Sequence, residues 1–134
     1  MTAGDIEVVR RLYHAWSHGE IPGPVQLLDP EIEYVNPAGA IEPGTRRGLS
    51  EFTRAVEKVL EAWEYWRADP QRLEAVGDRV VAVLDYRARG RGSGVEIRGS
   101  ESALWTLRDG KVIRYEWFLE PGDAFSALRE HRAP

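Results

Sequence analysis

RVVAVLDYRAR (79–89), VEIRGSESALWTLR (95–108) and KVIRYEWFL (111–119) follow one another with only short, glycine-containing breaks. Each is rich in β-branched and aromatic residues, and together they read as three consecutive antiparallel strands. Asp109-Gly110 between the last two is a two-residue hairpin signal, because such a turn needs positive φ angles that Asp and Gly tolerate. Gly90-Arg91-Gly92-Ser93-Gly94 forms a looser hairpin loop. The unbroken apolar run Val80–Leu84 predicts a strand covered on both faces.

Upstream material reads as cover for one face of this meander. Ile6, Val9, Leu12, Tyr13 and Trp16 form one stripe of a helix over 5–18, with Gly19 as its stop. A short helix over 22–28 begins at Pro22 and Pro24 and ends at Asp29-Pro30. A short strand over 31–35 follows. The stretch 36–48 holds two prolines and three glycines and is expected to be a loop at a rim or lid. Ser50 caps a long helix reaching Trp66, with Phe52, Val56, Val59, Leu60, Trp63 and Trp66 on its apolar stripe. Ala68-Asp69-Pro70 stops that helix, and 71–76 is a strand entering the meander at Gly77-Asp78. A closing helix over 123–130 carries Ala124, Phe125 and Leu128.

Composition narrows the function. The 134 residues suit a single domain over 1–134, and a net charge of −4 offers no electrostatic footprint for nucleic acid or an anionic membrane. The basic cluster Arg87, Arg89, Arg91 sits at a strand end without interleaved aromatics. With no cysteine, disulfides and thiol chemistry are excluded. The first residues lack the basic and apolar regions of a signal peptide, and no window approaches a membrane span, so the expected location is the cytoplasm. His14 and His18 have metal-compatible spacing but lie off the apolar stripe without a third ligand, so no metal is expected.

Helices segregated against an antiparallel sheet make an α+β fold. Several stretches resemble the SnoaL-like branch of the NTF2-like superfamily: Arg11-Leu12-Tyr13-His14-Ala15-Trp16 with Gly19, Asp29-Pro30-Glu31-Ile32-Glu33-Tyr34, Gly48, the run Trp105–Ile113, and Glu120. The resemblance implies a cone of three to four helices packed on a strongly curved, mixed but mainly antiparallel sheet enclosing an apolar cavity. It also implies a homodimer through the open sheet face. The superfamily includes ketosteroid isomerase, limonene-epoxide hydrolase, polyketide cyclases and many non-catalytic members, so fold alone assigns no activity. The positions matching the isomerase's tyrosine and two aspartates are Leu12, Asn36 and Ala103, which argues against that mechanism. Tyr34-Val35-Asn36 matches the hydrolase's Tyr-x-Asn pair. Leu84-Asp85-Tyr86 replaces its Arg-x-Asp motif and Trp117 its last aspartate.

The candidate site follows from strand alternation. Ile113, Tyr115, Trp117 and Leu119 form the more aromatic set of the last strand and are expected to face inward, as are Glu101, Ala103, Trp105 and Leu107 on the preceding strand. On 79–89 two registers remain open: Val81, Val83, Asp85 and Arg87 face in, or Ala82, Leu84 and Tyr86 do. In the first case Asp85 is the catalytic carboxylate, its basicity raised by an apolar cavity, with Arg87 beside it. The alternative is an exposed pair on the outer face. Tyr13, Trp16, Tyr34, Asn36, Trp63, Glu101, Trp105, Tyr115 and Trp117 are the expected ligand contacts, suited to a small, flat, apolar or aromatic ligand. The expected function is cofactor-free acid–base chemistry of isomerase, cyclase or hydrolase type on a carbonyl or epoxide compound. Otherwise the chain is a non-catalytic binding or dimerisation module.

Overall fold

The computed structural model describes residues 2–40 and 42–132. Its α-helices are α1 (Thr2–Ser17), α2 (Leu49–Glu61) and α3 (Asp123–Arg132). Its strands are β1 (Leu28–Asn36), β2 (Gly44–Arg47), β3 (Trp63–Val76), β4 (Arg79–Gly90), β5 (Glu96–Arg108) and β6 (Lys111–Phe118). One sheet runs β2-β1-β6-β5-β4-β3. Among the described residues only the β1–β6 pair is parallel, and the sheet is open, with β2 and β3 at its edges. The result is the expected α+β architecture.

The meander sits where its pattern places it. Asp109 (φ 54°) and Gly110 (φ 78°) make the primed turn between β5 and β6. Val80, Ala82 and Leu84 enter the main core beneath α1 and α2, together with Ala103, Trp105, Leu107 and Val112. Val81 and Leu104 face the opposite side, where Ala124, Ala127 and Leu128 of α3 cover them. The apolar run is therefore buried on both faces, as its sequence implies. The upstream helices α1 and α2 cover one face, as expected, and the closing helix α3 packs on the other.

Four local expectations change. The long helix ends at Glu61, and Trp63–Val76 is one long strand containing Ala68-Asp69-Pro70. Pro70 is tolerated there because β3 is an edge strand and its pairing shifts between Pro70 and Arg72. The stretch 36–48 contains strand β2, which pairs antiparallel with β1 from Glu33↔Arg47 to Asn36↔Gly44. Residues 22–28 hold only a single 3₁₀ turn, Val25–Leu27, and Asp29-Pro30 lies within β1. Finally, a bulge between Thr106 and Leu107 puts Val112, not Ile113, in the core.

Candidate functional site

Register decides which side chains meet. Leu84 pairs with Glu101, and Asp85 pairs with Ser100. Leu84 is core, so Glu101 shares its face and Asp85 takes the other. Asp85 is exposed and accepts a hydrogen bond from Ser100 Oγ at 2.8 Å. Arg87 is exposed on the same outer face and makes no ion pair with Asp85 among the described residues. The expectation that Asp85 and Arg87 enter the cavity is thereby corrected: one residue of register turned both of them outward.

On the inner face lies a pocket of about 110 Å³ lined by Trp16, Tyr34, Val56, Val59, Leu60, Trp66, Glu101, Tyr115 and Trp117. It shares Tyr34, Val59 and Trp117 with a wider groove of about 710 Å³. The groove adds Asn36, Trp63 and Leu119, and a charged rim of Glu42, Arg46, Glu51, Arg54 and Lys58. Tyr34 projects inward from β1, where it pairs with Tyr115 of β6 and belongs to the main core. Val56, Val59 and Leu60 come from α2, and Trp66 from β3. Trp117 Nε1 donates to Asn36 Oδ1 at 2.6 Å, and Asn36 Nδ2 donates to the Glu42 carbonyl at 2.8 Å. Lys58 Nζ contacts Glu42 Oε2 at 3.0 Å, which ties α2 to the loop after β1.

Glu101 is the pocket's one ionisable carboxyl. Burial raises its pKa to about 7. Among the described residues no cation or hydrogen-bond donor pairs with it. Burial also pushes Tyr34 up to about 12, with the Trp117 indole opposing and the Glu101 charge adding to the rise. Tyr115 and Tyr13 are raised well above the usual phenol range, again chiefly by burial and in part by Glu101. The pocket therefore presents neutral phenols around a carboxyl that is half ionised near neutrality.

The expected ligand contacts divide. Trp16, Tyr34, Glu101, Tyr115 and Trp117 converge on the inner pocket, and Asn36 and Trp63 line the groove. Tyr13 and Trp105 line neither. They are almost completely buried, and Trp105 Nε1 donates to Tyr13 Oη at 3.0 Å, so they are core rather than wall. Trp66 lines the inner pocket although the expected contacts do not include it. The period-two pattern Trp66, Ala68, Pro70, facing Ala88, Tyr86 and Leu84 of β4, carries its true signal. The groove's rim charges, Glu42 and Arg46, were hidden in what read as a loop. His14 on α1 and His18 just beyond its end are exposed, and among the described residues no group of His, Asp and Glu is placed to hold a metal ion. Nor, among those residues, is any helix long and apolar enough to cross a membrane.

Comparison with known proteins places this geometry in context. Residues 9–115 match the family model described as SnoaL-like domain. TerC, in a crystal structure with polyporic acid, is 26% identical with a TM-score of 0.77, covering 95% of this chain and 98% of that one. An NTF2-like protein from Burkholderia thailandensis is 24% identical with a TM-score of 0.74, covering 97% and 98%. A protein from a Jannaschia species, provisionally assigned as a SnoaL-like polyketide cyclase, is 20% identical with a TM-score of 0.75, covering 99% and 94%. No curated protein matches.

Proposed function

The chain belongs to the SnoaL-like family, and from that premise we propose that it uses Glu101 for cofactor-free acid–base chemistry on a small apolar carbonyl or epoxide compound. The observation that carries this is a single unpaired carboxyl, with a pKa of about 7, in an aromatic pocket. A general base works best when its pKa lies near the working pH. As carboxylate, Glu101 takes a proton from the carbon next to a carbonyl. The enolate oxygen accepts hydrogen bonds from the neutral Tyr34 or Tyr115 hydroxyl. Return of the proton at another carbon completes an isomerisation; alternatively the enolate carbon attacks a second carbonyl, and the protonated Glu101 carboxyl gives its proton to the alkoxide that forms, completing a cyclisation. The same carboxylate can activate water against an epoxide. The role first assigned to Asp85 thus passes to Glu101. Co-crystallisation of the relative TerC with polyporic acid supports a small organic ligand for such a pocket.

The test is turnover of a carbonyl and epoxide panel by the wild-type protein and by Glu101→Gln. Loss of at least about a hundredfold in kcat is expected, with little change in KM, since general acid–base groups contribute on that order. Turnover that survives the substitution removes Glu101 as the base. A second reading is a non-catalytic binding module. It is favoured by the 110 Å³ inner pocket, which admits only a small group beside Glu101. Binding without turnover across the panel would select it.

The partner in either reading is a second copy of the chain, docked through the outer sheet face in the cytoplasm. Two cross-strand rows there carry opposite charge: Arg67, Arg87 and Arg98, and next to them Asp69 and Asp85 with Ser100. A twofold axis between the rows sets the arginines of one copy against the aspartates of the other, as a self-complementary interface requires.

A further inference from the structure

Five rings surround the inner pocket, those of Trp16, Tyr34, Trp66, Tyr115 and Trp117, and Glu101 is the only charged side chain among its walls. Trp66 and Trp117 pair with no other ring among the described residues, so their faces are not occupied by aromatic stacking. The arginines that do lie over rings, Arg67 on Tyr65 and Arg72 on Phe125, are outside the pocket. Arg46, Arg54 and Lys58 line the outer groove, where Glu42 and Glu51 accompany them. A ring cluster with one carboxylate and no internal cation has a net preference. Anionic groups meet the negative faces of the rings and a like charge, whereas a weakly hydrated cation is attracted by both.

We propose that the inner pocket is a binding site for a small alkylammonium group, held against the faces of Trp66 and Trp117 and paired with the Glu101 carboxylate. This goes beyond the acid–base reading, because it requires no turnover and predicts a different class of ligand. The small volume suits a quaternary or tertiary ammonium head, with any longer substituent passing between Tyr34, Val59 and Trp117 into the groove.

The site has a built-in pH dependence. The titratable groups facing Glu101 are Tyr13 from α1, Tyr34 from β1 and Tyr115 from β6, all raised and neutral. Val56, Val59 and Leu60 of α2, Trp66 of β3 and Leu84 of β4 carry no titratable group. Only Glu101 therefore changes charge near neutrality. Ammonium affinity rises as Glu101 ionises, by about tenfold between roughly pH 6 and pH 8.

Titration calorimetry and tryptophan fluorescence at constant salt, with choline and its uncharged carbon analogue 3,3-dimethyl-1-butanol as probes, test this directly. At about pH 8 choline is expected to bind at least roughly tenfold tighter than the alcohol, a margin in the range of desolvated cation–ring contacts. Glu101→Gln is expected to lower choline affinity by about tenfold and leave the alcohol unchanged, since it removes the charge and keeps the shape. Trp66→Phe should retain most of the affinity that Trp66→Leu loses. Equal affinity for the two probes in the wild-type protein overturns the proposal without any variant having to fold. So does choline affinity unchanged in folded Glu101→Gln. A carbonyl panel without turnover would leave these affinities standing. Conversely, failure of choline to bind would leave a turnover result intact.

Discussion

Glu101 and Asp85 sit on adjacent strands one register position apart, and that offset gives them opposite environments. Asp85 has water and Ser100 Oγ; Glu101 has rings. Asp85→Asn is therefore expected to leave ligand binding in the pocket unaltered and to shift stability by no more than about 0.5 kcal/mol, as read by denaturant titration. Glu101 acts differently. Its pKa is 4.5 in the unfolded reference and about 7 in the folded chain, so between these values the folded state holds a proton that the unfolded chain releases. Stability contributed at this position is thus present below about pH 4.5, declines as pH rises, and is gone above about pH 7. Glu101→Gln removes that dependence. The variant should gain on the wild type between pH 5 and pH 8 by an amount of order 1 to about 3 kcal/mol, measured as the difference in urea unfolding free energies. Taking the difference cancels Glu33, whose pKa is lowered by Arg47 and Arg114 and whose effect runs in the opposite direction.

At the level of elements, β5 holds the molecule together from both sides. Its inward residues build the pocket, and its outward Ser102 anchors α3. Ser102 is fully buried; its Oγ donates to the Glu120 carbonyl at 2.6 Å and accepts from the Ala124 N–H at 3.1 Å. Ser102→Ala strips the Ala124 N–H of its partner and leaves the Glu120 carbonyl with only the Asp123 N–H at 3.2 Å, and should cost about 1–3 kcal/mol, with faster amide hydrogen exchange confined to α3. The β5–β6 turn is a separate dependency. Gly110 has φ 78°, where a β-branched side chain is strained. Gly110→Val should destabilise by roughly 1–3 kcal/mol without altering pocket affinity in the protein that remains folded. Element boundaries were the weakest part of the sequence reading for a definable reason. Trp63 and Trp66 continue the spacing of α2's apolar stripe, so periodicity alone extends the helix through them. The edge position that lets Pro70 sit in a strand is not visible from local pattern.

For the whole molecule, the outer sheet face holds like charges opposite one another in Arg67↔Arg87↔Arg98 and in Asp69↔Asp85. The like charges in each row repel one another within a subunit, and complementary rows on the proposed partner copy would relieve them. Sedimentation equilibrium should find a dimer that weakens as salt rises, and Arg87→Glu should shift it towards monomer while preserving the fold. A monomer at all concentrations would remove the interface from this face.

Alternating and continuous apolar patterns determined, without coordinates, the meander, its turns and the α+β class, because those features rest on local period and turn chemistry, while the SnoaL-like likeness rested on particular motifs such as Trp105–Ile113. Trp16 on its apolar stripe, and Glu101, Tyr115 and Trp117 by strand alternation, are residues the chain itself marks and the inner pocket gathers; Tyr34 is named only through its match to a Tyr-x-Asn pair. Three things were decided only by tertiary structure. The register of β4 against β5 turned Asp85 and Arg87 out and left Glu101 as the pocket's carboxyl. The packing of α1 on the sheet made Tyr13 and Trp105 core rather than wall. The pairing of β3 with β4 brought Trp66 to the pocket. In each case the residue type was plain from the chain, but its partner lay tens of residues away, and a strand's two faces differ only by which long-range neighbour covers them.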